Sequence, residues 1–307
     1  MIDSMKLQAF LHAADTLNFS EAARQLHLTQ PTISHHIKSL EKEMGVDLFL
    51  RSGSGLKLTE AGRLLLPRAR KLLRQTIEMQ QIMDSLQQKI VGDLRIACST
   101  TAGKYILPLL SARFCERHPG VRVTILACTP EMVMDELLRG EANLGVVSYE
   151  ALGETVESQE FFEDSITLIV PGDHPWAVRD SIRPEELLEE RIILRTAPSG
   201  TRQVMLEELA KHDIALDDLN ILFELGNAEA IVHTVAAGYG VSFVSKLAVG
   251  YPLQPGHVAA VRVEGLNLRR QIHMVRPIRE TPSRALDAFW RSVHDPTNAD
   301  LLELARA

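Results

Sequence analysis

The sequence predicts an α+β multidomain protein: an N-terminal winged helix-turn-helix, a long linker helix suited to dimerisation, and a C-terminal two-lobed α/β domain. Three observations carry this expectation. Two short helical patterns between residues 21 and 40 precede a two-strand pattern with a Ser-Gly-Ser-Gly turn. Apolar residues then keep a four-three spacing from Leu65 to Ile90. Beyond residue 92, aliphatic β-branched runs alternate with helical patterns, the order of an open α/β sheet. The boundaries read 1–59, 60–91 and 92–307, with lobe I formed by 92–160 and 268–307 and lobe II by 161–267.

A chain of 307 residues, 45% of them hydrophobic, is long enough for two or three separate cores. It contains no apolar run near the roughly 20 residues that span a bilayer, and its start lacks a basic-then-apolar leader, so a cytoplasmic protein with no membrane partner is expected. The net charge of -7 is uneven. Residues 1–90 hold 12 Lys and Arg against 9 Asp and Glu, while the remainder is strongly acidic. Only the N-terminal third suits a polyanion, and its excess comes from Arg63, Arg68, Arg70, Lys71 and Arg74. Cys98, Cys115 and Cys128 show no C-x-x-C spacing. They read as small buried hydrophobes, with a redox pair of Cys98 and Cys128 as the sharper alternative.

Within residues 5–17, Leu7, Phe10, Leu11, Ala14 and Leu17 recur at the helical period. Asn18-Phe19-Ser20 interrupts them, and Ser20 is placed to cap a second helix over 21–26, where Ala22 and Ala23 allow close packing. The stretch 29–40 is a third helix with Thr29 as N-cap and Pro31 in its first turn. Its Ile33, Ile37 and Leu40 share one stripe, which leaves Gln30, Ser34, His35 and Lys38 mostly on the other face, where groups able to bond base edges and phosphates would be free. An ordinary amphipathic surface helix would show the same spacing. Residues 47–51 and 56–59 read as a hairpin, with Arg51 and Lys57 beside its tip, either as a wing touching the DNA backbone or as solvated charges. Thr59 caps a long helix whose seam is Leu65, Ala69, Leu72, Thr76, Met79, Met83, Leu86 and Ile90. Such a seam needs a partner helix, and a homodimer would present two recognition helices to two half-sites.

The ordered set Ala22-Ala23, Leu26, Thr29-Gln30-Pro31, Ser34, Leu40-Glu41, Gly45, Leu48-Phe49, Arg51 and Leu58-Thr59-Glu60-Ala61-Gly62 resembles the N-terminal signature of LysR-type transcriptional regulators. The resemblance implies that Gln30, Pro31, Ser34 and His35 contact promoter DNA, with Thr32 and Lys38 near the backbone. It also implies a homodimer or homotetramer, leaves RNA polymerase open as a further partner, and gives the C-terminal part a type II periplasmic-binding-protein-like fold. Many members carry arginine where this chain has His35, and histidine lacks arginine's bidentate contact to guanine.

Gly92-Asp93 reads as a hinge into the C-terminal domain. Strands are expected at 94–97, 121–126, 144–147, 166–170, 192–194, 221–223, 241–244 and 271–275, and helices at 104–117, 131–138, 201–211, 228–237 and 283–293. Two such lobes place a cleft at the carboxyl ends of the strands. The loops Ser99-Thr100-Thr101, Thr129-Pro130, Ser148 and Thr196 to Arg202, with Ser199, Gly200 and Thr201 among them, supply hydroxyls, helix N-termini and one cation, a set suited to a small polar or anionic effector. A plain N-cap is the alternative for each hydroxyl. The Ser-Thr-Thr and Pro-Ser-Gly-Thr-Arg loops also resemble those of members that control carbon dioxide fixation or cysteine and sulfur metabolism. No metal-ligand spacing, phosphate loop or nucleophile-base pair can be nominated, so no cofactor, no metal and no catalysis are expected. The competing reading is a ligand-sensing module whose N-terminal helices only dimerise.

Overall fold

A computed structural model describes residues 3–52, 55–85, 90–98, 101–151, 153, 155–249, 257–278 and 283–304, in two compact units, Met1–Gln88 and Lys89–Ala307. The first unit holds helices α1 (Ser4–Thr16), α2 (Phe19–Gln25) and α3 (Gln30–Met44), strands β1 (Phe49–Ser52) and β2 (Gly55–Leu58), and helix α4 (Glu60–Ser85). Its core gathers Leu7, Phe10, Ala13, Ala22, Ala23, Ile33, Ile37, Leu40, Leu48 and Ala69. The two small alanines of α2 let that helix lie close against α1 and α3, as their spacing predicts.

Three expectations about this unit change. Asn18, not Ser20, caps α2: its Oδ1 accepts the amides of Ser20 at 2.9 Å and Glu21 at 3.2 Å, so the helix starts earlier. Leu17 does not belong to the buried stripe, because it closes α1 in the left-handed region with φ 48° and is exposed. The heptad seam is divided: Ala69 is buried and Leu65 half-buried in the unit's own core, whereas Leu72, Met79 and Met83 are 52%, 60% and 52% exposed. Leu86 lies outside the described residues, and Ile90 packs in the second unit. The stretch open to a partner helix is therefore the later part of α4.

The hairpin is pinned to α3 and α4 by polar contacts. Glu41 Oε1 accepts the amides of Leu48 at 2.8 Å and Phe49 at 3.2 Å. Thr59 Oγ1 donates to Asp47 O at 2.7 Å and accepts the Gly62 amide at 2.9 Å, which makes it the cap of α4.

The second unit runs β3 (Gly92–Cys98), α5 (Thr101–Arg117), β4 (Val121–Ala127), α6 (Pro130–Leu138), β5 (Leu144–Val147), β6 (Val156–Pro171), β7 (Ser181–Ile182), β8 (Ile192–Arg195), α7 (Gly200–Ala210), β9 (Ile221–Leu225), α8 (Ala228–Ala236), β10 (Ser242–Ser245), α9 (Lys246–Val249), β11 (Val258–Val263), β12 (Arg269–Pro277), α10 (Arg284–Ser292) and α11 (Ala299–Glu303). Gly92 and Asp93 are no hinge: they are the first residues of β3 and pair with Val121 and Arg122. The sheet order is β4-β3-β5-β12-β6-β11-β7, with β10 also on β6 and β8 on β9.

Strand β6 is the beam of this unit. Its first part, from Val156 to Ser165, pairs with β12 in lobe I, and its second part, from Ile166 to Pro171, pairs with β10 and β11 in lobe II. The lobe change thus falls at Asp164 to Ile166, four or more residues beyond the expected 160/161 boundary, because Phe161 and Phe162 pack in the lobe I core. Each lobe has helices on both faces of its strands: α5 and α10 against α6 in lobe I, and α7 against α8 in lobe II.

A Cβ on Gly62 would stand 2.3 Å from Leu48 O and 2.8 Å from Leu58 Cδ2, so α4 and the hairpin meet only because this residue has no side chain. Gly62→Ala is expected to destabilise the first unit by about 1–3 kcal/mol. A lower denaturant midpoint for that unit would register it, and an unchanged midpoint would show that the hairpin does not depend on this contact.

Candidate functional site

The candidate nucleic-acid surface is the outer side of α3. Thr29 Oγ1 accepts the Thr32 amide at 3.4 Å and shares a 2.8 Å hydrogen bond with Thr32 Oγ1, so Thr32 is spent partly on the cap. Ile33, Ile37 and Leu40 are buried, which fixes the helix rotation. Pro31, His35 and Lys38, at i, i+4 and i+7, are then exposed together, and Gln30 and Ser34 flank them half-buried. Lys57 is exposed on β2 opposite Leu50. The Arg51 side chain and the tip residues Gly53 and Ser54 lie outside the described residues. Of the basic residues just beyond, Arg70 pairs with Asp15, which removes it from the set facing outward.

The candidate ligand site is a cavity of about 200 Å³ in the second unit, lined among others by Lys104, Thr129, Ser148, Arg195, Ser199 and Arg270. Thr196, Gly200 and Thr201 also line it, so six of the expected effector residues, Thr129, Ser148, Thr196, Ser199, Gly200 and Thr201, come together. Thr129 is the N-cap of α6 and Ser199 that of α7. The Ser199 hydroxyl makes no capping bond, so it and the first amides of α7 are available to an oxyanion. Ser99 and Thr100 lie outside the described residues, as does the Thr101 side chain.

Arg202 is the residue the sequence misplaced. Its Nη1 donates to Arg195 O at 3.1 Å and to Glu224 Oε1 at 2.8 Å, so the guanidinium braces β8 and β9 instead of lining the cavity. The charge comes from Lys104, Arg195 and Arg270, none of which the motifs indicated. Arg195 ends β8, the strand leading into the expected loop, and that position was the available clue. Burial, and then the neighbouring Arg270 charge, push the Arg195 guanidinium down. Two guanidiniums that repel one another beside free helix amides form a place where an anion is stabilised.

Arg270 is held from behind. Its Nε donates to Asp164 Oδ2 at 2.9 Å, and its Nη2 lies 2.8 Å from the same oxygen. Ser245 Oγ donates to Asp164 Oδ1 at 2.6 Å. The remaining nitrogen, Nη1, would be 2.8 Å from a Cβ built on Gly200, and Ser148 Oγ would be 2.4 Å from it. Lobe II's α7 thus reaches lobe I only because Gly200 bears no side chain. Cys128 also lines the cavity, and burial pushes its thiol up, away from the reactive thiolate form.

Residues 5–63 match the family model described as bacterial regulatory helix-turn-helix protein, lysR family, and residues 87–296 match the LysR substrate binding domain. An HTH-type transcriptional regulator of Methanocaldococcus jannaschii is 33% identical over 286 residues, covering 93% of this chain and 96% of that one. The "Probable RuBisCO transcriptional regulator" of Nostoc is 31% identical, covering 94% and 88%. Among solved structures, full-length CbnR complexed with its target DNA is 24% identical with a TM-score of 0.71, covering 95% of this chain and 99% of that chain. The CcmR regulatory domain of Synechocystis in complex with 2-PG is 23% identical with a TM-score of 0.59, covering 70% and 97%. Both structures share the fold.

Two substitutions distinguish the cavity from the brace formed by Arg202. Arg202→Ala is expected to leave sulfate affinity unchanged, whereas Gly200→Ala, by propping the lobes apart, should weaken it about tenfold or more, ~1.4 kcal/mol. Isothermal titration calorimetry at constant ionic strength reads both, and equal losses would place the site elsewhere.

Proposed function

The chain belongs to the LysR family of DNA-binding transcriptional regulators, and on that premise we propose that its grip on promoter DNA is set by a small anion held in the cavity between its two α/β lobes. The observation that carries this reading is the convergence of Thr129, Ser148 and Arg270 from lobe I and of Arg195 and Ser199 to Thr201 from lobe II around one polar cavity. A ligand bonding both lobes favours one lobe arrangement over another, and only such unequal affinity transmits a signal. The likeness to RuBisCO regulators and to a domain solved with 2-PG supports a small acid of carbon metabolism as the ligand.

Pro31, His35 and Lys38, flanked by Gln30 and Ser34, form the base-reading and backbone-contacting side of α3 in this reading, with Thr32, Arg51 and Lys57 as further backbone contacts. The exposed Leu72, Met79 and Met83 of α4 supply the self-association that brings two such helices to two half-sites. In this reading residues 1–59 bind DNA, 60–91 link and dimerise, and 92–307 sense the effector. The alternative of N-terminal helices that only dimerise gives way to the helix-turn-helix family match. No catalytic step is assigned. Among the described residues no helix is long and apolar enough to cross a membrane. A promoter partner supports a cytoplasmic location.

Gln30→Ala and Ser34→Ala are each expected to reduce discrimination between operator variants by about 1–3 kcal/mol while basal affinity falls steeply with salt in every variant. Fluorescence anisotropy with the DNA upstream of the chain's own gene measures both. Unchanged operator preference in both variants would remove α3 as the reading element.

A further inference from the structure

The cavity's lining holds Lys104, Arg195 and Arg270, and no carboxylate is among the described residues that line it. Arg270 is already neutralised by Asp164. A different acid, Glu229, stands in the first turn of α8, where the charges of Lys104 and Arg195 act on it. The loop leading into that helix belongs to the cavity: Gly226 lines it, and Leu225 O accepts the Thr196 amide at 3.1 Å. Glu229 is held from the other lobe, because Tyr105 of α5 donates its hydroxyl to Glu229 Oε1 at 2.7 Å. Tyr105 directly follows Lys104, so one helical turn of lobe I delivers both a cavity cation and the clamp on the acid opposite it.

The electrostatics agree with that placement. Burial pushes the Glu229 carboxyl up, but the Tyr105 hydroxyl and the Lys104 and Arg195 charges outweigh it and leave the group below its ordinary value, hence ionised at neutral pH. Burial and then this same hydrogen bond push the Tyr105 phenol up, so it stays a donor. The three cavity cations are thus accompanied by two carboxylates, Asp164 bonded to Arg270 and Glu229 under the charges of Lys104 and Arg195.

We propose that Glu229 is a specificity-determining residue that limits how much negative charge the cavity's ligand carries, and that Tyr105 is the residue that positions it. The proposal rests on the reading of this cavity as the effector site. An ionised acid beside the cavity repels every anionic ligand in proportion to that ligand's charge. It lowers the affinity for a dianion more than for a monoanion of similar shape, so the protein distinguishes ligands by charge as well as by hydrogen bonding. Asp164 does not act this way, since it is spent on Arg270 and Ser245 behind the cavity.

The test uses the full chain and two tetrahedral probes, sulfate as dianion and methanesulfonate as monoanion, in calorimetry at constant ionic strength. Glu229→Gln is expected to tighten sulfate about tenfold and methanesulfonate about threefold, the square-root relation that charge repulsion demands. Tyr105→Phe should change the sulfate-to-methanesulfonate ratio in the native background and leave it unchanged in the Glu229→Gln background, because Tyr105 acts through Glu229. Arg195→Gln should weaken both probes. If Arg195→Gln weakens them but Glu229→Gln leaves sulfate unchanged, or scales both probes equally, the proposed role of Glu229 is wrong while the effector site stands. A Tyr105→Phe effect that persists at full size without Glu229 overturns the positioning role. If Arg195→Gln has no effect on either probe, the cavity is not the anion site and the inference falls with it.

Discussion

The second unit depends on one buried ion pair. Asp164 is wholly buried and the Arg270 side chain is 5% exposed, with the two residues directly opposite each other on β6 and β12 where the chain passes between lobes. An unpaired charge at that depth costs several kcal/mol, and breaking such a pair from one side costs about 3–5 kcal/mol. The pair therefore holds the two crossing strands in register, and the Ser245 hydroxyl adds β10 to the same knot. Burial pushes the Asp164 carboxyl up, against the pull of Arg270 and Ser245. The guanidinium engages the carboxylate through Nε and Nη2, which directs Nη1 at Ser148 and Gly200. The element that joins the lobes thus also lines the cavity.

From that constraint the rest of the site follows. With Arg270 fixed, α7 meets lobe I at Gly200, and the hydroxyls of Ser199 and Thr201 are carried to the same point. The α6 N-terminus, capped by Thr129, faces it from lobe I. Each lobe contributes a helix N-terminus and a cation, so neither alone makes a complete anion site. A division of this kind gives a ligand leverage over lobe arrangement, since its two sets of contacts exist together in one arrangement only. The first unit is built differently: local caps and small residues fix α3 so that Pro31, His35 and Lys38 stay exposed.

The two units were unequally legible, and the reason is the range of the interactions. In the first unit nearly every signal is local: Thr29 caps three residues ahead, the apolar stripe repeats within one helix, and Gly62 meets Leu48 fourteen residues away. The error at Ser20 was a choice between two capping residues two positions apart, and the structure chose Asn18. In the second unit the hydroxyl loops were readable because they follow strands and open helices. The cations were not, because Arg270 finds Asp164 106 residues earlier in the chain, and nothing near Arg270 marks it. Arg202 drew attention by standing in the motif, yet Glu224, 22 residues on, claimed it. The first part of β6, with its Glu, Gln, Ser and Asp residues, carries no clean alternation, and its strand is fixed by pairing with β12.

An anion that bridges the two lobes is expected to alter the hold of the protein on DNA. The most direct test is the fluorescence anisotropy of labelled upstream DNA titrated with the full chain at constant ionic strength, in chloride alone and with inorganic phosphate, sulfate or 2-PG. At least one of these anions is expected to displace the binding isotherm of the native protein, whereas Arg195→Gln, which leaves α3 untouched, should bind the DNA with an isotherm no anion displaces. Isotherms that superimpose under every condition, or a displacement that survives in Arg195→Gln, would contradict it.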